Sequence, residues 1–202
     1  MGRPTRFRLP GIPQLISQRG HNRLPCFLDG SDYSEFKQAL WDSADVSRCR
    51  IHALLMLPQA YWVLARPEEE DSIARMIQRT GRCYVRHCNA KYRREGTLWA
   101  GRYQACLVEP GHGYMQNCTD YLAATPARSG MVATGTRWPW LFLDEALEAK
   151  MHDSIEDEQY EEVNNVLKMG LVLGSAGFRR KIARDCGIRT EPGTRGRPRK
   201  NA

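Results

Sequence analysis

The chain has 202 residues, a formal charge of +7 and an apolar and aromatic content of 42%, which supports one packed core and about one to two domains. No apolar run approaches the roughly 20 residues of a membrane-spanning helix, and Met1-Gly2-Arg3-Pro4 opens on charge, without the apolar stretch of an export signal. Seven cysteines, an odd number with no Cys-x-x-Cys pair, argue against a disulfide framework or a zinc ribbon, so reduced thiols in a cytoplasmic protein are expected.

Charge is unevenly spread. Residues 1–143 carry net +7, residues 144–162 net −8 and the last 27 residues net +7. Two basic bodies around an acidic segment point to polyanion contacts at two places.

In chain order, Gln14 to Gln18 reads as a short strand ending at Arg19-Gly20. Asp32, three before Glu35, resembles a capping pair opening a helix with Phe36, Leu40 and Ala44 on one face. Ile51–Leu57 and Ala60–Ala65 are apolar runs joined by Pro58-Gln59, the pattern of a β-hairpin. Carboxylates at 68–71 then precede a helix with Ile73, Met76, Ile77, Thr80, Tyr84 and Cys88 on one side. Arg75, Arg79, Arg82 and Arg86 form a narrow stripe on the other.

A strand over about Tyr103 to Val108 precedes a helix carrying Tyr114, Cys118 and Tyr121, which Pro126 is expected to end. Residues 141–175 read as helical. Residues 176–202 begin with Phe178, Ile182 and a basic helix and break into Gly193-Thr194-Arg195-Gly196-Arg197-Pro198-Arg199-Lys200. The expected organisation is a domain over 1–140, an acidic helical segment over 141–175 and a basic DNA-binding tail over 176–202. The fold class is α+β, an antiparallel sheet with helices packed on one face.

Several ordered motifs resemble the REP-associated tyrosine transposases, a branch of the single-tyrosine HUH transposases. They are Arg19-Gly20-His21-Asn22-Arg23, the hairpin around Leu57-Pro58-Gln59, Gly96-Thr97-Leu98-Trp99-Ala100-Gly101-Arg102-Tyr103, and Tyr121-Leu122-Ala123-Ala124-Thr125-Pro126-Ala127-Arg128-Ser129-Gly130. The resemblance covers about residues 3–140 and, more loosely, the basic end. It implies a ferredoxin-like core and single-stranded DNA cleavage beside a hairpin, with Tyr121 as nucleophile. It also implies a divalent metal, magnesium or manganese, on a His-x-His pair in the second hairpin strand. Aligned on Pro58, the two ligand positions hold Ala60 and Trp62, and the position of a frequent third ligand holds Thr125. Ala100 replaces an acid in the Gly96–Tyr103 motif. No metal or other cofactor is therefore expected, and catalysis is expected to be absent or very slow, since metal assistance contributes several kcal/mol. His112 is the histidine to watch, close before the tyrosine helix.

DNA contacts are expected from Arg19, Asn22 and Arg23 at the strand end, from the stripe Arg75, Arg79, Arg82 and Arg86, and from Arg102 and Arg128. Arg195, Arg197, Arg199 and Lys200 form a stretch similar to an AT-hook, which lies in the A·T minor groove. The leading expectation is a transposase-derived protein that binds hairpin or single-stranded DNA, as monomer or homodimer, with impaired cleavage. An active metal-dependent strand transferase and an RNA-hairpin binder are the alternatives.

Overall fold

A computed structural model describes residues 7–111, 113–152 and 154–191. In chain order come β1 (Gln14–Arg19), α1 (Gly30–Ser47), β2 (Cys49–Leu57), β3 (Ala60–Pro67), α2 (Ser72–Lys91), β4 (Gln104–Val108) and α3 (Tyr114–Arg128). They are followed by β5 (Leu141–Leu143), α4 (Glu145–Glu148), α5 (Asp157–Met169), β6 (Val172–Leu173) and α6 (Ala176–Cys186). The strands make one sheet in the order β5-β2-β3-β1-β4-β6, antiparallel except for the β4–β6 pair. No helix among the described residues is long and apolar enough to cross a membrane.

The α+β antiparallel sheet is the expected fold class. Its central strands alternate between two apolar faces rather than one apolar and one polar. Ile16, Leu54, Met56, Tyr61 and Val63 pack under α1 and α2 through Phe36, Leu40, Met76 and Tyr84. Leu15, Leu55, Leu57 and Leu64 pack under α3 and α5 through Tyr121, Leu122, Val163 and Leu167. The expectation of helices on one face is thereby extended to both.

Three local expectations are corrected. The capping box lies one turn earlier than Asp32–Glu35: Asp29 is the N-cap, its carboxylate accepting from Ser31 N and Asp32 N, while Asp32 reaches back to the Asp29 amide. Pro126 does not end α3, which runs to Arg128. In the last turn a proline forfeits only one helical bond, and Ser129 N closes the helix on Thr125 O at 2.9 Å. Residues 141–175 are not purely helical, because Leu141–Leu143 and Val172–Leu173 are edge strands of the sheet.

Asp32 also ties α1 to the end of α2. Its fully buried carboxylate takes Lys91 Nζ at 2.8 Å, Tyr92 Oη at 2.7 Å and Leu28 N at 2.8 Å. Burial alone would raise its pKa, but these donors outweigh it and hold the group below the usual carboxylate value. Stability from this site is therefore present above the unfolded value of about 3.9 and lost as pH falls through the lower folded value. Asp32→Ala is expected to lower unfolding free energy by about 2–3 kcal/mol at neutral pH, from loss of a buried pair with a part-exposed lysine. Urea unfolding should show that deficit shrinking at pH 3, and an equal deficit at both pH values would contradict the assignment.

Candidate nucleic-acid interface

Three segments distant in sequence meet at the ends of β1 and the β2–β3 hairpin. Gly20 N donates to Gln59 O at 2.8 Å, His21 N to Leu98 O at 2.8 Å, Ala100 N to Arg19 O at 2.9 Å and Cys26 N to Pro58 O at 2.7 Å. Gly20 is required by this crowding, since a Cβ there would lie 2.2 Å from Leu24 O. Asn22 and Arg23 then turn the chain with φ of 53° and 58°, the left-handed region. Arg19, Asn22 and Arg23 are all exposed on this braced tip.

On α2 the apolar side is buried as its spacing predicts, and Arg75, Arg79, Arg82 and Arg86 are exposed on the other side. Arg75 is tied to Glu69, which also takes Arg48 at 3.0 Å. Among the described residues, Arg79, Arg82 and Arg86 have no ion-pair partner.

The arginine face stands between two clefts. The larger, about 1520 Å³, has Gln14, Gln18 and Gln104 of β1 and β4 in its lining and gains Arg102 and Lys168 from two other segments. The smaller, about 570 Å³, lies toward the end of α1 and gains Arg48 and Arg79. Arg75, Gln78, Arg82 and Arg86 line both. Gln14 Nε2 is buried and has no hydrogen-bond partner among the described residues.

The opposite face of the sheet is closed. Tyr121 is 3% exposed, its ring 4.6 Å from that of Tyr160 on α5. Burial, with Tyr160 beside it, pushes the Tyr121 phenol above its ordinary pKa, away from the phenolate a nucleophile needs. Thr125 Oγ1 donates to Tyr121 O at 2.6 Å and lies 3.2 Å from Tyr160 Oη. Arg128 sits 4.2 Å over the Tyr160 ring and pairs with Asp157. Arg128 is thus engaged with α5, whereas Arg102 joins the arginines of α2. Glu158, Glu161 and Glu162 of α5 are exposed.

Ala60 and Trp62 belong to this closed face, where Trp62 packs on the cluster that contains Leu64 and Tyr121. A methyl group, an indole and a hydroxyl already committed to a carbonyl do not offer the oxygen or imidazole donors a divalent ion requires, so these residues do not fit the metal that the resemblance implies. His52 Nδ1 is 2.8 Å from Asp144, and His152 Nδ1 is 2.7 Å from Asp120. Among the described residues, no three His, Cys, Asp or Glu side chains are grouped to hold a metal. His112, Arg195, Arg197, Arg199 and Lys200 lie outside the described residues.

Sequence reasoning missed Gln14, Arg48 and Lys168. Lys168 follows an acidic run and Arg48 is a helix C-cap in the left-handed conformation, so neither belongs to a visible basic stripe.

No protein-family profile matches the chain, and no curated protein matches it by sequence. Its fold is similar to that of a REP-associated tyrosine transposase solved bound to a REP hairpin, with a TM-score of 0.64 and 16% identity over 78% of this chain and 93% of that one. A Deinococcus radiodurans protein described as a transposase superposes loosely, with a TM-score of 0.40 and 16% identity over 60% of this chain and 93% of that one.

Proposed function

We propose that this protein is a DNA-binding module on a transposase-like fold, recognising hairpin or single-stranded DNA and lacking tyrosine nuclease chemistry. The observation that carries the reading is the contrast between the two faces of the sheet. On one, Arg82 and Arg86 of α2, without an ion-pair partner among the described residues, border two clefts, the larger of which also holds Arg102. On the other, Tyr121 is sealed under Tyr160, and α5 presents carboxylates to solvent. Phosphate is attracted to the first face and repelled by the second. A hairpin ligand is supported by the solved transposase of similar fold, which was bound to one.

The test incubates the protein and its Tyr121→Phe variant with labelled DNA hairpins bearing single-stranded flanks, with and without manganese. Both proteins should retain the hairpin equally on native gels and give no covalent band on denaturing gels. A manganese-dependent covalent band lost in the variant would establish an active strand transferase instead. Failure to retain any DNA would overturn the binding reading itself.

A further inference from the structure

Resting on the DNA-binding reading, we infer that α2 is a groove-reading helix. Its arginine ridge enters the major groove of a double-stranded DNA stem, and the two flanking clefts receive the two phosphodiester backbones. A helix with its side chains is about 10–12 Å across, and the major groove of B-form DNA is about 12 Å wide. A helix can enter such a groove only if it has open space on both flanks. The larger cleft runs along the Ala74, Gly81 and Val85 flank of α2, the smaller along the Arg79 and Cys83 flank, and Arg75, Gln78, Arg82 and Arg86 between them line both.

Charge follows the same division. Arg102 and Lys168 add cations on the first flank, and Arg48 and Arg79 on the second. Among the described residues each cleft includes one carboxylate, Asp71 or Glu69, and each is already paired: Asp71 with Arg8 at 3.4 Å, and Glu69 with Arg48 and Arg75. A single strand needs one basic channel, whereas two channels on either side of a helix match two backbones. The ridge itself carries arginine and glutamine, the side chains that pair in two-point fashion with guanine and adenine edges in the major groove. From Arg75 to Arg86 the helix rises about 17 Å, roughly five base steps at about 3.4 Å each. The geometry also selects the polymer, because the major groove of A-form RNA is deep and too narrow to admit a helix.

The test measures affinity of the full chain for a DNA hairpin, for the same bases as an unpaired strand and for the matching RNA hairpin. It then maps interference by guanine N7 methylation and by phosphate ethylation. The DNA hairpin should bind about 10-fold or more tighter than the other two, with N7 methylation in the stem and ethylation on both strands interfering. Arg102→Glu with Lys168→Glu should abolish ethylation interference on one strand, and Arg79→Glu on the other. Equal binding of the unpaired strand or the RNA hairpin, or interference confined to one strand, would overturn the inference and leave DNA binding standing. Absence of binding to all three would overturn both.

Discussion

Changing Arg82 and Arg86 together to glutamate is expected to weaken DNA-hairpin binding by about 100-fold at 0.1 M salt and to lower the salt slope by about 2. Both side chains border both clefts and have no ion-pair partner among the described residues. The substitution thus takes two cations from between the two clefts and introduces two repulsions beside both backbones, without breaking an internal ion pair among the described residues. Unfolding free energy should stay within about 0.5 kcal/mol of the parent, as for surface changes that touch nothing. Arg79 and Lys168 each border one cleft, so their single reversals should have smaller effects. Arg128→Glu is the informative control: it should loosen only the first turn of α5, at Asp157 and the Tyr160 ring, away from Lys168 at the other end of that helix, and leave the salt slope unchanged. Fluorescence anisotropy titrations across a salt series provide both quantities. An unchanged slope in the doubly reversed, folded protein would remove α2 from the DNA interface.

The parts legible in the sequence are those written in local pattern. The hairpin at Pro58-Gln59 follows from two apolar runs with one tight break, and the two faces of α2 follow from spacing alone. Alternation also placed Ala60 and Trp62 on one face with Leu55 and Leu57, as the strand pairing has it. What local pattern could not carry was the second layer. Val163 and Leu167 look like one stripe of any amphipathic helix, and nothing local says that they join Leu15 and Leu64 in one core cluster and bring Tyr160 over Tyr121. Likewise, Leu141–Leu143 and Val172–Leu173 are too short for periodicity to separate strand from helix, and they become strands by pairing with β2 and β4. The clefts were hidden for the same reason. Their cations at 48, 102 and 168 come from a helix cap, a loop and the end of an acidic helix, and only the fold brings them to the flanks of α2.

Placing histidines at the two positions that the resemblance assigns to a metal, Ala60→His with Trp62→His, is expected to leave the protein unable to form a covalent DNA adduct, despite creating two imidazoles on one strand face. The two changes address only the missing metal donors. Tyr121 would remain under Tyr160, and the Thr125 hydroxyl would still be committed to the Tyr121 carbonyl. Loss of the partly buried indole from the cluster around Leu64 should also lower stability by about 2 kcal/mol. A further Tyr160→Ala change removes the ring that covers the phenol, and only this triple variant is expected to give a weak manganese-dependent band. The order in which adducts appear separates two obstacles, absence of metal donors and closure of the nucleophile. An adduct from the double-histidine variant alone would mean that α5 opens readily enough for Tyr121 to reach phosphate, so that the absence of metal donors is the sole obstacle. No adduct from a folded triple variant shown by calorimetry to bind manganese would place the defect elsewhere, with Ala100, where the resembling motif carries an acid, as the next residue to restore.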